Sequence, residues 1–352
     1  MSRMRWKCSL PTAGVAFVLL MACSDQPQPL SPKPVFNVSL PTSYTVEDIS
    51  TAPNEFSYPE GINDAGVVVG WLNSRTGTHA WWRKGNRLIR LQEPPGAIAS
   101  HAYAIANNGS IAGSVFFPGG PNQPAYWSGP RDQPLLIPLP SGFLNGDAFG
   151  VNNHREVVGT YIDAANTLQA FLWSHATGVT TTLGTLGGTQ AEAIDINELG
   201  QVVGCSEGAN GETHAFRWTS ATGMIDLAPS YNSSCAYGLN QTGDAAGFVS
   251  TQYAESAAVF LDAGFSRRFL VAGATVPAFF DINNSLISVG WWTVGGTQLP
   301  IAADELGSWT VLPTLPGALG SRATAINTCG RIVGSSYDAT TVHALLWVPP
   351  GC

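Results

Sequence analysis

The sequence predicts an all-β fold: a seven-bladed β-propeller with four antiparallel strands per blade, closed by the N-terminal strand completing the last blade. Three observations carry this reading. A ten-residue segment recurs seven times at a nearly fixed spacing, each copy is followed by the same succession of short apolar runs, and the partial copies at the two ends of the array complement each other.

The recurring segments are GINDAGVVVG (61–70), AIANNGSIAG (104–113), GVNNHREVVG (150–159), DINELGQVVG (195–204), GLNQTGDAAG (238–247), DINNSLISVG (281–290) and AINTCGRIVG (325–334). Their final glycines, Gly70, Gly113, Gly159, Gly204, Gly247, Gly290 and Gly334, stand 43 to 46 residues apart. Each segment reads as a first strand, a tight turn and a second strand. In the Asn-x-x-Gly turn the Asn side chain bonds the backbone two residues on and the Gly takes a positive φ. Ala106 replaces the Asn in the second copy, and Arg155 and Leu286 replace the Gly in the third and sixth, so looser or differently shaped turns are expected there.

About ten residues beyond each glycine comes a third strand, as in HAWW from 79, PAYW from 124 and HAFRW from 214, followed by an aliphatic fourth strand such as LIRL from 88 or MIDL from 224. The Trp that ends the third strand in several copies is read as packing between blades. The last copy stops after its third strand, HALLWV, while an orphan YTVEDI (44–49) precedes the first. Ile49 stands 14 residues before Asn63, as Leu183 stands 14 before Asn197, so the orphan has the phase of a fourth strand. An N-terminal strand that completes the C-terminal blade leaves no unpaired edge at the closure.

On the motif INELGQVVG…HAFRW (196–218) the chain resembles the HAF-repeat family of probable extracellular proteins, over essentially residues 44 to 347. That family is defined by its repeat, so the resemblance implies an exported repeat protein and no particular activity.

The chain begins with Arg3, Arg5 and Lys7 and a short apolar stretch, AGVAFVLLMA, the pattern of an export signal over residues 1–22. LMAC (20–23) resembles the lipobox of bacterial lipoproteins, which implies acylation of Cys23 and a membrane contact through that lipid anchor alone. Residues 23–43 are Pro-rich and read as a tether, and residues 44–352 as the propeller. Loss of the signal takes 16 Lys plus Arg to 13 against 24 Asp plus Glu, a net charge near −11, which argues against a nucleic-acid partner. The implied location is the bacterial cell envelope, periplasmic or surface-exposed.

With Cys8 lost and Cys23 acylated, four cysteines remain in a compartment where disulfides persist. Three pairings are open by sequence. In the propeller, Cys205 and Cys235 share one face and Cys329 and Cys352 the other, so these pairs are the expected disulfides.

Chemistry is scarce. His79, His214 and His343 recur at the start of the third strand, on three different blades, which suits edge hydrogen bonds rather than a shared zinc. No HExxH, GxSxG or phosphate-loop pattern is present, and Asp195, Glu198 and Asp281 are isolated along the chain. No catalytic residue, metal or cofactor is therefore assigned, and a monomer is expected. The positions that vary without a scaffold reason are aromatic and lie just beyond the conserved glycines: Trp71, Phe117, Tyr161, Trp291 and Trp292 are the candidate binding residues. Trp291 and Trp292 cannot both face one side of a strand. The expected function is a non-enzymatic binding or scaffold module for a glycan, a peptide or an envelope protein. The alternative is a polysaccharide hydrolase or lyase with carboxylates gathered in the channel.

Overall fold

The computed structural model describes residues 40–50, 55–252, 254–262, 266–269 and 274–352. The export signal, Cys23 and all but the last residues of the tether lie outside them. The described residues form 28 strands and no helix, so none is long and apolar enough to cross a membrane.

Each repeat folds as an antiparallel meander of four strands, because the turns that separate them are only a few residues long. Five sheets have four strands, and the first two repeats join into a sheet of eight through a single parallel bridge, Thr78 to Ala99. The first strands are Phe56–Ile62, Ala99–Ile105, Asn145–Val151, Gly187–Ile196, Ser233–Leu239, Ala274–Ile282 and Gly320–Ile326. In the last sheet the fourth place is taken by the N-terminal strand Thr45–Asp48, which pairs with Val342–Val348 in the register Thr45 to Val348 and Asp48 to Leu345. The orphan YTVEDI therefore has the phase and the partner its spacing implied.

The apolar core lies between successive sheets. Val158, Ala170 and Leu183 of the third repeat pack with Ala193, Ile196, Val202 and Phe216 of the fourth. Ile62, Val68 and Trp81 of the first pack with Ala325, Val333 and Ala344 of the last. The terminal Trp residues of the third strands join in: Trp127 Nε1 donates to Gln92 O of the preceding repeat at 2.8 Å, and Trp347 Nε1 to Pro313 O at 2.6 Å. These two indoles are buried with the N–H satisfied, whereas Trp173 Nε1 of the third repeat is buried with no partner among the described residues. Disulfides join Cys205 to Cys235 and Cys329 to Cys352, the pairs expected from the shared faces.

The invariant glycine at the end of each segment has a steric cause. A Cβ built on Gly70, Gly113, Gly159, Gly204, Gly247, Gly290 or Gly334 would lie 1.9 to 2.1 Å from a carbonyl oxygen of the neighbouring first strand. That strand presses in because it carries a β-bulge beside the glycine. The register slips by one residue in all seven copies, between Pro59 and Gly61, Ala102 and Ala104, Ala148 and Gly150, Ala193 and Asp195, Ala236 and Gly238, Phe279 and Asp281, and Ala323 and Ala325. Glycine and bulge are one device.

The turns depart from expectation in one respect. Arg155 and Leu286 do not loosen the turn; they adopt its positive φ, 60° and 59°, close to Gly66 and Gly200 at 69°. The backbone bonds are retained, Arg155 N to Asn152 O and Leu286 N to Asn283 O, both at 3.0 Å. Asn at the first position fixes the turn strongly enough to hold a side chain in the left-handed region.

Candidate functional site: a cavity walled by the bulged strands

A cavity of about 720 Å³ is lined by residues from all seven first strands. Its wall is built in tiers, because equivalent residues of the repeats stand at equal heights.

The lowest tier is a belt of asparagines at the turns. Asn63, Asn152, Asn197, Asn240, Asn283 and Asn327 are all at most 5% exposed. Each uses Oδ1 to accept backbone N–H groups of its own turn, as Val67 N donates to Asn63 Oδ1 at 3.0 Å. Each uses Nδ2 to reach the next repeat. Asn63 donates to Ala106 O, Asn152 to Asn197 O, Asn197 to Asn240 O, Asn240 to Asn283 O, Asn283 to Asn327 O and Asn327 to Asn63 O, all at 3.0 to 3.2 Å. A carboxamide offers, on two separate atoms of one side chain, an acceptor for the turn and a donor for the neighbour. Where Ala106 breaks the belt, Asn108 substitutes, with N donating to Asn153 Oδ1 at 2.8 Å and Nδ2 to Asn153 O at 2.9 Å. Reading the asparagines as turn formers captured half of their work.

The next tier is Gly61, Ala104, Asp195, Gly238, Asp281 and Ala325, with Gly150 at the equivalent position of the third repeat. Two of these are carboxylic acids. Asp195 Oδ1 accepts Ile196 N and its Oδ2 accepts Leu239 N of the next repeat, both at 2.8 Å. Asp281 repeats this, with Ile282 N at 2.7 Å and Ile326 N at 2.8 Å. Protein surrounds both carboxyls, although each keeps some surface open to the cavity. Burial pushes the Asp195 pKa up to about 7 despite its two N–H bonds. Burial, with the Asp195 charge adding to it, pushes Asp281 up to about 8. The fold thus brings into one cavity two carboxyls that stand 86 residues apart in sequence.

Above them are the bulged residues themselves, Glu60, Tyr103, Phe149, Ile194, Tyr237, Phe280 and Thr324, each ten residues before its conserved glycine. A bulge re-aims a side chain, and here it turns this residue into the cavity. Tyr237 and Phe280 lie with ring centres 5.1 Å apart and planes at 16°, and Phe280 and Trp291 at 6.0 Å and 11°. Tyr103 and Phe149 are 5.3 Å apart. Burial raises the phenol pKa of both Tyr103 and Tyr237, so both stay neutral donors.

Glu60 stands at one side of this wall. Trp71 Nε1 donates to Glu60 Oε1 at 3.1 Å, and burial raises the Glu60 carboxyl while the Arg322 charge partly opposes it. Among the described residues Arg322 is the single basic residue lining the cavity; its Nε donates to Ser335 Oγ at 3.0 Å. Trp71 is held between Tyr58, at 3.9 Å between ring centres, and His101, at 4.6 Å. Burial lowers the His101 pKa to about 4, which keeps its imidazole neutral in this stack.

The candidate aromatic residues fall in different places. Trp291 lines the cavity, and Trp71 adjoins it through Glu60. Trp292, 1% exposed, is in the core against Trp309, on the side opposite Trp291. Tyr161, 6% exposed, packs in the core with its hydroxyl 3.2 Å from Thr182 Oγ1 and also lines a smaller cavity of about 220 Å³ in the third repeat. Phe117 is half-buried against the core of the first two repeats. The bulged tier was missed by sequence reasoning, although its signal was present: a position ten before each invariant glycine that is held by five residue types across the seven copies.

The recurrent histidines pair with carboxylates near the edge. His79 Nδ1 is 3.0 Å from Glu93 Oε1, His214 Nδ1 2.7 Å from Asp226 Oδ2, and His343 Nδ1 2.9 Å from Asp48 Oδ2. Among the described residues no three His, Cys, Asp or Glu side chains come together as a metal site.

Among solved structures the chain is similar to oligogalacturonate lyase from Vibrio parahaemolyticus, with a TM-score of 0.60 and 8% identity over 88% of this chain and 98% of that one. It is similar to virginiamycin B lyase from Staphylococcus aureus, with a TM-score of 0.54 and 9% identity over 87% and 99% of the two chains. It is also similar to TolB from Acinetobacter baumannii, with a TM-score of 0.51 and 12% identity over 84% and 67%. No protein-family model and no curated protein matches the chain. At these identities the likeness bears on architecture alone, and together with the antiparallel four-stranded sheets it makes this chain a β-propeller.

Proposed function

We propose that this chain is an envelope-anchored, non-enzymatic binding protein of the HAF-repeat type, a closed seven-bladed propeller whose central cavity holds an extended glycan. Closure is supported by contacts between the first and last repeats: the pairing of Thr45–Asp48 with Val342–Val348, the belt bond from Asn327 to Asn63, and Thr324 Oγ1 donating to Pro59 O at 2.9 Å. Anchorage rests on the lipobox-like LMAC around Cys23, and two disulfides suit an oxidising, exported location.

The observation that carries the binding reading is the aromatic wall of Tyr103, Phe149, Tyr237, Phe280 and Trp291 on bulged and neighbouring positions of one cavity. Flat apolar sugar faces pack on such rings, and the surrounding amide and carboxyl groups accept hydroxyl donors. A non-enzymatic role is favoured by the state of Asp195 and Asp281: all four carboxyl oxygens already accept backbone N–H groups. Both acids are thereby tied to the backbone of two repeats, a structural task that already occupies one lone pair of each oxygen.

A glycan array on the purified chain, with the products of each bound glycan followed by mass spectrometry, tests this. Binding without turnover, weakened by Phe280→Ala and Trp291→Ala, is the expected result. Product formation abolished by Asp281→Asn would replace the binding reading with the hydrolase or lyase one. For the anchor, the mass of the mature N-terminus should show a diacylated or triacylated Cys23.

A further inference from the structure

Where the first and last repeats adjoin, the main cavity presents two ionisable groups that the aromatic wall does not use. Arg322 stands on the first strand of the last repeat, two residues before the bulged Thr324, and Glu60 is the bulged residue of the first repeat. Both line the cavity, and Thr324 Oγ1, donating to Pro59 O at 2.9 Å, ties the two strands together beside them.

The Arg322 guanidinium is held along one edge and open along the other. Its Nε donates to Ser335 Oγ, the cross-strand partner, at 3.0 Å, and its Cζ lies 6.0 Å from the centre of the Tyr58 ring. The two terminal amino groups form no hydrogen bond among the described residues, and both keep accessible surface. That free edge carries the two parallel N–H groups that bind a carboxylate in bidentate fashion. No carboxylate of the described residues fills it: the arginine ion pairs are Arg90 with Glu55 and Arg217 with Asp262. Glu60 is close enough to feel the Arg322 charge, but its Oε1 is taken by Trp71 Nε1 at 3.1 Å.

The acids nearest this end of the cavity do little to neutralise the guanidinium. Burial favours the uncharged form of Glu60, as it does for Asp195 and Asp281. Asp64 and Glu198 line the cavity at its turn end, where they accept Thr328 N and Asn153 N of neighbouring repeats. A full positive charge with an unused bidentate edge therefore faces a cavity walled by aromatic rings.

We infer that Arg322 is a subsite for the carboxylate of an acidic sugar, so that the glycan on the aromatic wall contains a uronic acid. This rests on the glycan reading above and adds the chemistry of one unit. The two N–H donors match the two carboxylate oxygens, and partial exclusion of water strengthens the pair. Glu60 Oε2, which accepts no bond among the described residues and keeps accessible surface, offers an acceptor to a hydroxyl of the ligand. A neutral sugar would leave the guanidinium facing hydroxyl groups alone.

The test is calorimetric titration of the purified chain with tetramers of mannuronate, guluronate, glucuronate and galacturonate, each beside its carboxyl-reduced neutral counterpart, and with a sulfated galactose tetramer. A charge-assisted hydrogen bond corresponds to about tenfold or more in affinity. At least one uronate tetramer should therefore bind at least about tenfold tighter than its neutral counterpart. Arg322→Gln should bring that ratio close to one, with the thermal midpoint verifying the fold. Arg322→Lys, which keeps the charge and loses the fork, should give an intermediate ratio. Uronates that bind no tighter than their neutral counterparts would overturn the carboxylate subsite and leave the glycan reading standing, as would a preference that survives Arg322→Gln. Binding of none of the tetramers would defeat the glycan reading itself. Tighter binding of the sulfated tetramer than of every uronate would give Arg322 a sulfate ester in place of the carboxylate and overturn the uronic-acid assignment.

Discussion

The asparagine belt and the bulged tier lie three residues apart on the same strands, yet they follow opposite rules. Asn occupies the belt position in six of seven copies, whereas the bulged position holds Glu, Tyr, Phe, Ile, Tyr, Phe and Thr in turn. The belt must satisfy a turn and a neighbouring repeat at once, so a single side chain fits. The bulged residue leaves the ladder and faces a cavity, so the backbone sets its direction and nothing in the scaffold sets its identity. Constant geometry carrying variable chemistry is what a binding wall needs.

Substitutions should separate the two regions cleanly. The largest loss is expected for Gly204→Ala, whose Cβ would meet Glu192 O at 1.9 Å. Thermal unfolding should show destabilisation of about 3 kcal/mol or a failure to fold. Ile194→Thr, on the bulge that this glycine permits, should cost under about 1 kcal/mol. A comparable cost for the two would break the link between glycine and bulge.

Asn197→Asp comes next. It retains the acceptor for Leu199 N and Gln201 N but removes the donor to Asn240 O. A loss of about 1 to 3 kcal/mol in denaturant titration is expected from the unsatisfied carbonyl. No loss would reduce the belt to a set of turns. In the opposite direction, Arg155→Gly should gain about 1 kcal/mol by relieving the φ of 60°.

The two acids beside the belt predict a pH dependence. Their folded pKa values, about 7 and about 8, lie above the ordinary 3.8. The folded chain therefore binds more protons than the unfolded chain across that interval. Their contribution is most favourable below about pH 4 and is lost progressively as pH rises through about 8. The double substitution Asp195→Asn with Asp281→Asn should flatten this slope relative to the unmodified chain in melts from pH 4 to 9. The smallest effect on stability is expected for Trp291→Ala, which should lower glycan affinity while moving the melting midpoint little.

Much of the architecture was legible because it depends on local signals repeated many times. The phase of Ile49 located the strand that completes the last sheet, and the shared faces selected the pairs Cys205–Cys235 and Cys329–Cys352. The site was less legible. Alternation along a strand separated Trp291 from Trp292 without saying which of them faces the cavity. The bulge interrupts that alternation in the first strand, where the wall is built, so a period of two misdirects at the positions that matter. Arg155 and Leu286 show the limit of local turn rules, since the asparagine and the ladder around them impose a conformation their own preferences oppose.

By itself the sequence determined the repeat, the order and phase of its strands, and the positions where only glycine serves, since these follow from short-range patterning repeated seven times. Only the tertiary structure decided that residues about 44 apart share hydrogen bonds as a belt, that Asp195 and Asp281 meet in one cavity, and that Glu60 and Arg322, from the first and last repeats, line it together. Those relations run across strands and between sheets. There the distance between side chains is set by how the sheets pack and is unrelated to their separation along the chain.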